Sequence, residues 1–328
     1  MTDFSLYQRL LTHGTVTDPP KDIPDARFAL PSTINWIRAL AILVADLDVA
    51  FSTAKIFYSA VQRRQLNDRE INTTCEQLLF TLNQIAALEA LAAVPNAADV
   101  ARVAIVTWYY GIYGAASAMI AANDGSVQDN HTATAQQWDR QFPCNRLVMA
   151  PFGDRISSLL TRNVELELAP VRARGTHSLT VRPTGVTEAW GCVAEYLSGT
   201  AKWEQWNVQE RVKEHRDFKA LNKPDFRSAA ARSLRDAALA KRGIAFLHEA
   251  SRYRGKANYR DAIYLAYGRT VPSQLEGFVP DLATVLKAFS CIAAAYASKR
   301  MGREIWDAFL GDLEKKRAVS TSPGKLWS

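Results

Sequence analysis

The stretch "VARVAIVTWYYGIYGAASAMIAANDGS" (Val100–Ser126) decides how this chain is read. Ile105, Trp108, Tyr109, Ile112, Ala116 and Met119 recur at three- and four-residue spacing, which puts them on one face of an α-helix. Its small residues allow a second helix to approach closely, and "NDGS" stops it. The same period continues outward. Upstream, "INWIRALAILVADLDVAFSTAKIFYSAVQRR" (Ile34–Arg64) reads as one long helix ending in a basic turn, which suits a helix C-terminus. After "LNDRE", a capping region, "INTTCEQLLFTLNQIAALEALAAV" places Leu79, Leu82, Ile85, Ala86 and Ala90 on one stripe. Downstream, "RSAAARSLRDAALAKRGIAFLHEASRYR" is rich in strong helix formers. "DLATVLKAFSCIAAAYASKRMGREIWDAFLGDLEKK" then reads as the last strong helix. The expected fold class is mostly α, an antiparallel helical bundle formed by 35–142 and 240–314.

The remaining segments lack this period. Residues 1–34 hold four prolines and read as an irregular arm. Residues 143–239 read as an insertion with β-leaning fragments, "VELELAPV" (Val164–Val171) and "HSLTVRP" (His177–Pro183). Loops, a short β-hairpin and a helix near "TEAWGCVAEYL" are expected there, with helix resuming at about Lys202. Residues 315–328 read as a flexible tail.

Composition narrows the class. Hydrophobic residues make up 48% and charged residues 22% of the 328, the profile of a soluble globular protein with material for a core. No uninterrupted apolar run reaches the roughly 18 residues of a membrane span, and the first residues do not read as a signal peptide. The four cysteines are far apart and form no CxxC pair, which argues against a metal knuckle and suits a reducing compartment. A cytoplasmic protein is expected. The chain has no GxxxxGK[ST], GxGxxG, HExxH or GxSxG, so no metal or other cofactor is implied. Its net charge of +7 is uneven: residues 211–260 carry 14 Lys/Arg against five acids, or +9, leaving −2 for the rest. Such concentration is the electrostatic footprint of a polyanion binder, and equally of a solvated helix face.

The densest run of chemistry is "RYRGKANYRDAIYLAYG" (Arg252–Gly268), just after the basic Arg235 and Arg242. His248 precedes Arg252 by four residues and shares its helical face. His131 stands in "NDGSVQDNHTATAQQW", immediately after the most aromatic helix, and Arg242 and His248 form a literal R-x5-H.

Trp108–Trp138 resembles the signature of the HEPN superfamily, in which a YYAMFHAA-like helix precedes a loop with a TH or KH element. Tyr109, Tyr110, Tyr113, Ala115, Ala116 and His131 fall at the matching places. "LHEASRYRGKANYRDAIYLAYG" resembles the LxxLRxKADYxx segment of the same branch through Leu247, Arg254, Lys256, Ala257, Asn258 and Tyr259. The resemblance covers roughly 75–140 and 240–300. It implies a four- or five-helix bundle that dimerises and, in many members, a metal-independent ribonuclease with an R-x4-6-H motif. It further implies toxin–antitoxin or anti-phage settings, with an antitoxin or a minimal nucleotidyltransferase as partner. Here the histidine position after Arg252 is Ala257.

Two functions are therefore expected as alternatives. In the first, the chain is a ribonuclease. Arg252 or Arg254 binds the scissile phosphate, His131 or His248 moves the proton, Asn258 and Tyr259 orient the site, and Arg235, Arg242, Lys256 and Arg260 hold RNA. In the second it is a non-catalytic helical module binding RNA, nucleotide or a partner protein.

Overall fold

The computed structural model describes residues 24–127, 130–260, 265 and 271–328. Helix α1 (Pro24–Asp46) begins earlier than the sequence suggests, since residues 24–34 are helical and not an irregular arm. Pro31 lies within it, and the hydroxyls of Ser32 and Thr33 donate to the Ala29 carbonyl at 3.0 and 2.8 Å. Residues 1–23 of the expected arm lie outside the described residues. The single long helix expected over Ile34–Arg64 is interrupted. Asp48 takes a left-handed φ of 45°, which aspartate tolerates better than most residues, and only the short α2 (Phe51–Phe57) follows.

Helix α3 (Asp68–Ala92) starts in a capping box between Asn67 and Glu70, as "LNDRE" predicts. Its buried stripe is Leu78, Leu82, Ile85 and Leu88, turned slightly from the predicted one. Helix α4 (Ala97–Asp124) runs from an Asn96 cap to Gly125, whose φ of 76° ends it in the left-handed region. A side chain at Gly114 would meet Phe80 at 2.8 Å and Thr81 at 2.9 Å, so this glycine sets the spacing of α3 and α4.

Next come α5 (His131–Gln141), a 3₁₀ turn (Pro143–Asn145), β1 (Arg155–Ile156) and α6 (Thr161–Ala173). Then follow α7 (Val186–Glu214), α8 (Arg216–Ala220), α9 (Ala229–Ala240), β2 (Ile244–Ala245) and α10 (Phe246–Gly255). "VELELAPV" is thus helical. Val164, Leu168 and Val171 are buried at i, i+4 and i+7 while Leu166 is left exposed, so the apparent alternation was half of a helical stripe. The two strands form no local hairpin. Arg155 pairs with Ala245 and Ile156 with Ile244, an antiparallel ladder that clasps the two ends of the insertion together.

The chain closes with a π-helical turn (Lys256–Arg260), α11 (Val271–Gln274), α12 (Phe278–Met301), α13 (Arg303–Lys316) and α14 (Pro323–Leu326). The helix expected over Asp281–Lys316 breaks at Gly302, whose φ is 86° and against which the Arg63 side chain packs. Helix α12 is buried along most of its length and touches α1, α2, α3 and α4. By length and composition α4 and the 271–301 segment could cross a membrane, yet both are largely buried in the core. The main core also takes Leu179, Trp190, Cys192 and Tyr196, so the first half of α7 packs within the bundle. The rest of the insertion gathers a smaller core of its own around Ile156, Leu168, Leu197 and Val208.

The expected flexible tail is docked. Trp327 is fully buried, stands against Trp306 with ring centroids 6.2 Å apart, and donates its indole N–H to the Ser290 hydroxyl at 3.2 Å.

Candidate functional site

Helices α4, α5 and α10 bring the two halves of the motif together. His131 is the first residue of α5, where Asn130 caps the helix by accepting from the Ala133 amide at 2.8 Å. Its imidazole stands edge-on among three α4 rings, with centroids 4.8 Å from Tyr113, 5.2 Å from Tyr109 and 5.7 Å from Tyr110. From the last turn of α10, the Arg254 guanidinium lies 4.9 Å from the centre of the Tyr109 ring, within cation–π range. Ser251, one turn earlier, hydrogen-bonds the Tyr109 hydroxyl, and burial pushes that phenol up to about 12. Thr134 donates to the Tyr113 hydroxyl at 3.2 Å.

This arrangement fixes the charge state of His131. Partial burial lowers its pKa and the Arg254 guanidinium lowers it further, so the imidazole is neutral at pH 7. His131 Nδ1 and Arg254 Nε are both buried with no hydrogen-bond partner among the described residues. Unsatisfied buried polar atoms are uncommon enough to need a reason, and a bound anion is one that would satisfy the arginine. The π-helical turn that follows α10 is a geometry often found at functional sites. Arg102 of α4 ties it down by donating to the Asn258 carbonyl at 3.1 Å, and Lys256 is half-buried within it. Ala257, at the position where the family pattern has histidine, is buried. The side chains of Tyr259 and Arg260 lie outside the described residues.

His248 belongs to a different cluster at the other end of α10. Its Nδ1 accepts from the Ala245 amide at 3.2 Å. Burial is the main cause lowering its pKa, with Arg242 and Arg155 adding to it and Asp139 opposing. Asp139, on α5, takes both prongs of Arg155 at 2.9 and 3.2 Å. The literal R-x5-H pair, Arg242 and His248, is therefore within electrostatic reach. Helices α5 and α10 run antiparallel, with His131 meeting Arg254 at one end and Asp139 meeting His248 at the other.

Arg252 faces away from His131, because two residues along a helix is more than half a turn. It donates to the Thr200 hydroxyl at 2.9 Å and stands 5.5 and 5.6 Å from the Tyr196 and Trp203 rings. It does not join Arg254 at one phosphate. Beneath it lies Glu249, which nothing in its local sequence singles out. Its carboxyl is fully buried and raised to about 8, chiefly by burial and secondly by Asp154, with Arg252 opposing. Asp154 is itself paired with Arg174 at 2.6 Å, and Arg174 lies over the Trp190 ring at 3.7 Å. Arg235, expected at RNA, donates to Asp236 at 2.8 Å and stands over Phe226 at 5.8 Å.

Among the described residues no group of three His, Cys, Asp or Glu side chains is placed to hold a metal ion. Comparison with family models, curated proteins and solved structures finds no match.

Proposed function

We propose that this chain is a HEPN-like protein acting on RNA, and that it cleaves RNA without a metal ion at the His131–Arg254 centre. One observation carries the reading: two motif halves far apart in sequence put a neutral imidazole and an arginine against the same tyrosine ring. In this chemistry Arg254 binds the scissile phosphate and offsets its growing charge. His131 accepts the proton of the RNA 2′-hydroxyl as that oxygen attacks phosphorus. The bond to the 5′-oxygen breaks, that oxygen takes up a proton from the imidazolium, and the products are a 2′,3′-cyclic phosphate and a 5′-hydroxyl. The same reading implies a homodimer and a bacterial toxin–antitoxin or anti-phage setting.

The test is incubation of the pure protein with mixed RNA in EDTA, comparing wild type with Arg254→Ala, His131→Ala and Arg252→Ala. Cleavage by wild type that survives in Arg252→Ala and is lost in the other two supports the site. No cleavage by wild type, or equal cleavage by all four, refutes it.

A second reading, a non-catalytic module that binds RNA or a partner, is favoured by Ala257. The family's histidine position is filled here by a buried methyl group. RNA binding that weakens with salt, without cleavage, would select this reading.

A further inference from the structure

The basic stretch of the insertion is not a uniformly solvated face. Along α7, Lys202, Trp206, Gln209 and Lys213 recur at four, three and four residues and so share one strip about 17 Å long at 1.5 Å per residue. The adjoining face of this part of α7, about a third of a turn away, carries Ala201 and Val208, buried in the smaller core. Trp206 is 55% exposed and has no ring or cation contact among the described residues. Lys202 is exposed and makes no ion pair among them. At the far end, Lys213 is held by Glu210 at 2.7 Å and stands 6.0 Å over Phe226, whose other cation is Arg235. Cation, ring, cation, ring, cation is therefore the order from Lys202 through Trp206, Lys213 and Phe226 to Arg235.

Trp206 presents a broad ring face to solvent, and its surroundings argue for the kind of ligand that face would take. The ring is flanked by Lys202, which has no ion pair among the described residues, and by Lys213, which shares its charge with Glu210. A polyanion with flat rings matches both components, phosphates with the cations and a base with the indole. A duplex hides its bases in the stack, so the ring selects a single strand.

We propose that the Lys202–Trp206–Lys213 strip is a binding path for single-stranded RNA, with Trp206 as its stacking platform. This rests on the RNA-acting reading above and adds the strandedness of the substrate and a holding surface built by the insertion.

The probe is a fluorescein-labelled single-stranded pyrimidine RNA, 2′-O-methylated so that it cannot be cut, with the same sequence as a duplex for comparison. Wild type should prefer the single strand. Trp206→Ala should weaken it roughly ten-fold, while Trp206→Phe keeps a ring and loses much less. Lys202→Glu should weaken binding and flatten its salt dependence. Unchanged single-strand affinity in Trp206→Ala overturns the strip while leaving the RNA-acting reading standing. So does a loss seen only in oligomeric mass and not in RNA affinity. Failure of wild type to bind either probe overturns both. The exposed position of Trp206 leaves the melting temperature of both variants unchanged, which separates lost stacking from lost fold.

Discussion

Arg254 and His131 meet across the ring of Tyr109, the guanidinium 4.9 Å from its centre and the imidazole 5.2 Å away. Arg252, two residues earlier, is bonded to Thr200 instead. The two arginines should therefore fail differently. Arg254→Ala should lower RNA cleavage by roughly 10²-fold or more while shifting the melting temperature little. Arg252→Ala should leave most of the cleavage rate and cost about 1–3 kcal/mol of stability, since it strips a buried neighbourhood of its cation. Parallel measurements of rate and thermal unfolding decide it; equal rate losses in both variants would place the phosphate elsewhere.

The charge state of His131 gives a pH signature. Its folded pKa is depressed by burial and by Arg254. The unfolded chain therefore binds more protons than the folded one between that value and about 6.5. The contribution to stability is full above about 6.5 and is lost as pH falls through the folded value. Cleavage that needs the neutral base should fall over the same acid limb. In an NMR titration the imidazole midpoint should lie below that of a free histidine and rise in Arg254→Gln. A midpoint unmoved by that substitution would separate the two residues.

Glu249 runs in the opposite direction. Its folded pKa of about 8 stands above the unfolded carboxyl value, so the folded chain binds the extra proton between them. The stability it contributes is full below about pH 4.5, is lost at about 1.4 kcal/mol per pH unit as pH rises from there toward 8, and changes no further above that. Glu249→Gln mimics the protonated form. It should melt close to wild type at about pH 4.5 and several degrees above it at pH 9. Identical pH slopes in the two proteins would show that the carboxyl is not held protonated.

The sequence was most legible where local chemistry and packing agree. The α4 face from Ile105 to Met119 is buried as its spacing predicts, and Asn67, Asn96 and Gly125 cap where their side chains or freedom allow. His131 and Arg254 were nameable because rings and charge crowd both segments. Glu249 was not, because its raised pKa comes from burial and from the charge of Asp154, which is distant in sequence. Val164–Val171 misled because a helical stripe sampled at even positions looks like a strand. The break at Asp48 has no proline or glycine to announce it.

The C-terminal residues misled for another reason: "AVSTSPGKLWS" has a loop composition and one large apolar side chain, and that one decides. Trp327 is wholly enclosed, its indole N–H bonded to Ser290 on the central helix α12 and its ring beside Trp306 of α13. Ser322 caps the short α14 by accepting from the Lys325 amide at 3.2 Å, and Glu314 accepts from the Gly324 amide at 2.7 Å, so the approach to the pocket is also tied down. Trp327→Ala should cost about 3–5 kcal/mol, in the range of other large-to-small core changes. Ser290→Ala should cost about 1 kcal/mol, leaving the indole N–H unpaired. Denaturant unfolding measures both. A Trp327→Ala loss below about 1 kcal/mol would mean that the tail does not hold the bundle closed.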